Sequence, residues 1–259
     1  MKFLKFKICL CFVLLTSFLH AGSQSEGELH FKPEEILSFS KKVEKVLGEN
    51  GARVAILGKV GRSRDQLPEG VFFTHTAFAV YSDIKTSDNK DLKGYAIYNL
   101  YQKSDDLSKS DLVIDYPVDF FADTEQLETG IIIPKPEVQQ KLLELISSGK
   151  YKKLHNPNYS VIANPYTVDK QNCTEYTLDV LFAAIYDTDD INVIKEKEKE
   201  HFKAFKLDIN PLKLMLGSIF VPEISTSDHP NDIETTTFET IGNYLVQENL
   251  LKGRFVFVF

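Results

Sequence analysis

The chain has 259 residues, 43% hydrophobic and 26% charged, with a formal net charge of −7. That is a globular composition with enough apolar residues for a sizeable core, in one large domain or two small ones. The acidic balance excludes a nucleic-acid footprint.

The first residues read as an export signal. MKFLKFK is basic, ICLCFVLLTSFL is an apolar run of 12 residues, and Ala21 supplies a small residue for cleavage. The run is too short to span a bilayer. Cys9 and Cys11 lie inside it rather than after it, which disfavours a lipid-modified cysteine and with it a stable membrane anchor. Residues 1–21 are therefore expected to be a signal peptide and 22–32 a loose leader. A single domain is expected over 33–259, with its core at 51–187 and a C-terminal extension at 188–259. Loss of Lys2, Lys5 and Lys7 with the signal takes the charge from −7 to −10. The destination is the periplasm in a Gram-negative source, or the medium otherwise.

KPEEILSFSKKVEKVLGENG predicts a helix, with Pro33 in its first turn and Ile36, Phe39, Val43, Val46 and Leu47 along one face. ARVAILGKVG predicts a short buried strand, and RSRDQLPEG a loop. VFFTHTAFAVYSD and GYAIYNLYQK alternate like strands and are expected to pair as an antiparallel hairpin across the connector IKTSDNKDLK. Residues 104–130 are mixed, and TGIIIP is a short strand. KPEVQQKLLELISSGKYKKL is an amphipathic helix through Val138, Leu142, Leu145 and Ile146.

HNPNYSVIANPYTVDKQN is a loop with two Asn-Pro steps, followed by a helix opening at Cys173 with Leu178, Leu181, Phe182 and Ile185 at core spacing. KEKEKEHFKAFK predicts a solvated helix. NPLKLMLGSIF predicts a short helix, STSDHPNDIETTT a flexible connector, and FETIGNYLVQENLL an amphipathic helix. RFVFVF is a terminal strand that needs partners on its edges.

Two of the three cysteines leave with the signal, so Cys173 cannot form an internal disulfide. It is an intermolecular disulfide partner, a reactive thiol or a small buried hydrophobe. Asn172 is a good N-cap, and Glu175 stands three positions on in a capping-box arrangement, which places Cys173 in the first helical turn. Free N–H groups and the helix dipole favour a thiolate there.

A thiol nucleophile needs a proton acceptor. Of the six histidines, His20 leaves with the signal, and His30, His201 and His229 sit in polar segments. His155 precedes Asn-Pro in a loop. His75 lies in an apolar strand, flanked on its own face by Phe73 and Ala77, and is either a satisfied core residue or the base. The base also needs an orienting partner. Asn99, a lone amide in AIYNLY, and Gln102 near the strand end are the polar residues on the next strand. Tyr159 and Tyr166, in the loop before Cys173, either line a cleft or pack as ordinary aromatics. No paired-cysteine or His-x-x-x-His spacing and no Gly-rich phosphate loop is present, so neither metal nor cofactor is expected.

A histidine on a strand (FFTHTAFAVY), a polar residue on the next (GYAIYNLYQ) and a later cysteine opening a helix (QNCTEYTLDVL) resemble the circularly permuted NlpC/P60 branch of papain-like cysteine hydrolases. Through GARVAILGKVG, THTAFAV, YSVIANPY and QNCTEYTLDVLFAA, the chain is similar to DUF2145, a family of uncharacterised bacterial exported proteins, over residues 33–187 and more loosely over the rest. The resemblance implies an α+β fold, a small, mainly antiparallel sheet with packed helices. It also implies Cys173 as nucleophile, His75 as base and Asn99 as orienter, in thiol-dependent cleavage of an amide, such as a cell-wall (peptidoglycan) peptide, or of an ester. A noncatalytic envelope module that keeps the fold stands as the alternative.

Overall fold

A computed structural model describes residues 29–85, 89–208 and 224–259. The expected signal peptide, most of the leader and the NPLKLMLGSIF helix lie outside them.

Helix α1 (Pro33–Glu49) begins at the proline, whose missing N–H costs nothing at that position. It buries Ile36, Phe39, Val43 and Leu47, each such burial contributing about 1.5–3 kcal/mol. Strands β1 (Val54–Lys59), β2 (His75–Lys85), β3 (Asp91–Gln102), β4 (Ser110–Asp115), β5 (Glu128–Pro134) and β8 (Leu251–Val258) form one sheet in the order β4-β3-β2-β1-β5-β8. Every neighbouring pair is antiparallel.

Between β4 and β5 lies the short helix α2 (Pro117–Phe120), and after β5 come α3 (Pro136–Ser147), α4 (Cys173–Tyr186) and α5 (Ile191–His201). A two-residue ladder joins β6 (Phe205–Lys206) to β7 (Glu234–Thr235), and α6 (Phe238–Gln247) leads into β8. The fold is thus α+β on a six-stranded antiparallel sheet.

Both faces of the sheet are covered, so β1 is buried along its whole length. Ala55, Leu57, Ala77, Ala79 and Ile97 face α1, with Phe120 and Phe121 completing that layer. Val54, Ile56, Phe78, Val80 and Leu100 face the opposite layer, made by α3, α4 and α6. The period-2 alternation of side chains sorts the strand residues between the two. Gly58 and Gly130 sit opposite each other in the β1–β5 ladder and leave a flat spot. A Cβ on Gly130 would come within 2.5 Å of Phe238, and one on Gly58 within 2.9 Å of Phe73. The two rings meet edge-on at 4.9 Å over this spot.

The β2–β3 hairpin is longer than the alternation suggested. Its ladder runs through Asp83↔Lys93 and Lys85↔Asp91, because opposite charges facing each other across the strands support pairing inside the polar segment. The polar stretch before α6 contributes β7 instead of serving only as a connector. The terminal strand finds one partner, β5, and turns Phe255 and Phe257 toward the α1 layer. Residues 188–259 thereby supply both a core helix and a sheet strand to the same body.

Candidate functional site

The imidazole of His75 is fully buried where β2 begins, opposite Lys59 of β1. It stacks on Tyr101 at 5.0 Å, and the Phe120 ring lies 5.6 Å away. Its Nε2 lies 3.1 Å from Asn99 Oδ1. Asn99 Nδ2 donates to Asp115 Oδ2 at 2.8 Å and to Tyr101 Oη at 3.3 Å. A carboxylate accepts only, so the amide must donate there and present its oxygen to the ring. Nε2 then carries the imidazole proton, and Nδ1 is left with its lone pair. Nδ1 is buried and has no hydrogen-bond partner among the described residues.

Burial, and next the Lys59 charge, lower the His75 pKa to about 3, against the opposing pull of Asn99 and Asp123. The ring is therefore a neutral base at ordinary pH. Lys59 is itself fully buried, bonded to Asp123 Oδ1 at 2.6 Å and lying over the Phe120 ring at 5.2 Å. Burial raises the carboxyl pKa of Asp115, while Tyr101 and Asn99 oppose the shift.

Cys173 is the first residue of α4, as the capping pattern indicated. Asn172 Oδ1 accepts from Glu175 N at 2.9 Å and from the Thr174 hydroxyl at 2.7 Å, while Asn172 Nδ2 donates to Val161 O. Glu175 does not complete the expected box, because its carboxylate turns to Lys195 at 2.8 Å. The β2–β3 ladder stops at Phe78↔Tyr98, so residues 75–77 pair with β1 alone. The sulfur sits beside this open stretch, 3.9 Å from Thr74 O. Thr76 locks the helix to the strand by donating to Cys173 O at 3.2 Å.

Burial raises the thiol pKa, whereas the backbone amides of Thr76 and Thr174 and the Lys59 charge pull it down. Sulfur and imidazole thus approach the start of β2 from the two layers, flanking the same three residues. No hydrogen bond joins them.

A pocket of about 200 Å³ opens beside Cys173. Tyr159, Phe73, Val71, Ile162 and Thr235–Thr237 are among its walls. Of the two tyrosines singled out in the sequence, Tyr159 lines it. Tyr166 instead ties its loop to the chain after α5, donating to Phe202 O at 3.1 Å and accepting from Ala204 N at 3.0 Å. Gln102 closes the β3–β4 turn by donating to Leu107 O at 2.7 Å. His155 bonds Ser110 Oγ at 3.0 Å, away from the pocket.

Sequence reasoning missed Asp115, Tyr101 and Lys59. A lone lysine in VAILGK was the available signal, since a charge inside a buried strand needs a partner. The KEKEKEH helix is also not uniformly wet. Lys195 is buried against Asp179 at 2.6 Å, Glu175 at 2.8 Å and Glu198 at 3.0 Å, which welds α5 to α4. Among the described residues no cluster of three or more His, Cys, Asp or Glu is placed to hold a metal ion. No helix there is long and apolar enough to cross a membrane.

The family DUF2145, described as an uncharacterized protein conserved in bacteria, matches residues 46–245, and the chain belongs to it. No curated protein and no solved structure matches the chain.

Proposed function

We propose that this DUF2145 member is an exported thiol hydrolase of the permuted NlpC/P60 type, cleaving an amide or ester bond. One observation carries the reading. The His75 Nδ1 lone pair is buried and unpartnered at the strand start whose flanking residues, Thr74 and Thr76, hold Cys173. The chain order of histidine strand, asparagine strand and cysteine helix supports the same type.

With both groups neutral at rest, the chemistry is general-base assisted attack rather than reaction of a preformed ion pair. Because Sγ and Nδ1 flank the start of β2 from opposite layers and make no hydrogen bond at rest, the step requires them to close on each other past residues 75–77, which β3 leaves unpaired; Nδ1 then takes the thiol proton as Sγ bonds to the carbonyl carbon. The carbonyl π electrons move onto oxygen, where the amides of Cys173 and Thr174, at the helix mouth, offer donors. Collapse of this adduct breaks the bond to the amine or alcohol, which leaves with the proton from Nδ1. Water, deprotonated by the same nitrogen, then attacks the thioester and regenerates the thiol. Asn99, anchored by Asp115, holds the ring throughout and disperses its transient charge.

A second reading is favoured by one specific observation. Sulfur and imidazole make no hydrogen bond, and burial holds both neutral. On that reading the protein is a noncatalytic envelope module that binds through the same pocket. Alkylation of Cys173 by iodoacetamide across pH 5–9, in the native chain and in His75→Gln, separates the two. A hydrolase shows faster labelling near neutral pH that His75→Gln slows at least tenfold. Equal, slow labelling in both proteins leaves the binding module.

A further inference from the structure

The sheet ends on a strand whose outer side is open. Among the described residues β8 pairs with β5 alone, along Leu251–Val258. The ladder fixes which backbone groups face out. Phe259 N donates to Leu127 O at 3.0 Å, and bonding alternates along an antiparallel strand. The N–H and C=O groups of Arg254, Val256 and Val258 therefore point away from β5. The side chains at this edge are apolar and accessible, with Val256 52% exposed, Val258 65% and Phe259 45%. No proline interrupts the strand, and its one irregularity falls near its start, opposite Pro134. A long open edge of this kind is a template for another strand. The opposite edge, β4, carries Asp111 and Asp115, and like charges resist self-pairing there.

We infer that the β8 edge pairs with β8 of a second copy of this chain, antiparallel about a two-fold axis through Val256, so that the two sheets join into one. Residues opposite each other share a face, so this register sets Arg254 against the partner's Val258 and Phe257 against the partner's Phe255. The outward groups then exchange about six backbone hydrogen bonds across the seam.

Charge chooses both the occupant and the register. β8 holds Lys252 and Arg254 and no acid. The acid lies one strand further in, because Glu128 stands opposite Val258 in the β5–β8 ladder, on the same face. The partner's Arg254 reaches across Val258 toward Glu128 and joins the ion pair that Glu128 makes with Arg64. An axis through Arg254 would set two arginines against each other. An axis through Phe255 would bring Arg254 beside Gly130 of β5, which offers no charge. On the other face, Phe255 and Phe257 of the two copies meet as cross-strand aromatic pairs. Gly253 meets the partner's Phe259. A Cβ on Gly253 would find nothing within 4 Å, and a ring laid over an edge glycine covers such a gap. Nothing in this pairing depends on Cys173, so its fate is separate from that of the hydrolase.

Sedimentation equilibrium at tens of micromolar reads the mass, and twice the chain mass is expected. Val256→Pro removes an outward N–H and no bond to β5, as proline does on a tolerated edge position. It is expected to weaken association at least tenfold with the circular dichroism unchanged. Arg254→Glu, at an exposed side chain, gives a second reading should the proline unfold the strand, and is also expected to weaken association at least tenfold. The register is read by oxidation with oxidised glutathione in a Cys173→Ala background. Val256→Cys, on the axis, is expected to cross-link two copies, and Val258→Cys, opposite Arg254, is not. A monomer at that concentration, a dimer that both substitutions leave intact, or cross-linking through Val258→Cys in place of Val256→Cys overturns the inference.

Discussion

Asn99 of β3 and Asp115 of β4 are diagonal neighbours joined by a 2.8 Å hydrogen bond, and that bond decides which nitrogen of His75 bears a proton. The amide is oriented by the carboxylate, so its oxygen must accept from the ring. The free lone pair then falls on Nδ1, on a ring held against Tyr101 at the strand start where Cys173 also rests.

Replacing Asp115 with asparagine removes the acceptor-only partner and leaves the Asn99 amide free to turn over. The Nε2-protonated tautomer is expected to lose its dominance, read from the imidazole ¹⁵N shifts, and Cys173 alkylation is expected to slow about tenfold. An unchanged tautomer and rate would remove Asp115 from the relay. Loss of this half-buried charged hydrogen bond is expected to cost about 1.5 kcal/mol of stability, the low end for a bond to a charged group.

Lys59→Met takes away the positive charge that helps to hold the imidazole neutral. The His75 pKa should rise from its depressed value in an NMR titration, because burial remains but one opposing charge is gone. A pKa that stays put or falls contradicts the assignment of Lys59 as a cause.

The histidine also sets an acid limit on stability. Its folded pKa, about 3, lies below the ordinary 6.5, so the unfolded chain binds the extra proton first between those values. Stability from this group is therefore complete above pH 6.5 and lost as pH falls toward 3, on the order of 5 kcal/mol in all. Chemical denaturation of His75→Gln at pH 7 and pH 4 should show a smaller difference between the two pH values than the native chain shows.

The α4–α5 weld predicts the opposite slope. Burial is the leading cause that raises the carboxyl pKa values of Glu175 and Glu198 well above 4.5, with Lys195 opposing it. A raised acid pKa gives stability that is present below 4.5 and lost as pH climbs through the folded value. Glu198→Gln should therefore flatten the alkaline side of the stability profile. Lys195→Met, which strands buried carboxylates, should cost about 3–5 kcal/mol at neutral pH. Denaturant midpoints across pH 5–9 check both.

Much of this was legible in the chain because local chemistry determined it. Pro33 and the Ile36–Leu47 stripe marked α1, and Asn172 before Cys173 marked the mouth of α4. The pairing of His75 with Asn99 followed from two adjacent strands with polar residues in apolar runs. The residues that orient Asn99 and tune His75 were hidden because they act across long separations. Lys59 meets Asp123 over 64 positions, and Asp115 reaches Asn99 from a strand that reads only as mixed sequence. Lys195 and Glu198 were misjudged because charge alternation signals a wet helix, and only the carboxylates of α4 explain their burial.

The most direct test is the pH profile of Cys173 alkylation in the native chain beside His75→Gln, with Asn99→Ala as a third arm. The account predicts fast labelling at neutral pH in the native protein, with each substitution slowing it at least tenfold while the fold, followed by circular dichroism, is kept. Three superimposable profiles would contradict it and leave the thiol a bystander on the wall of a binding pocket.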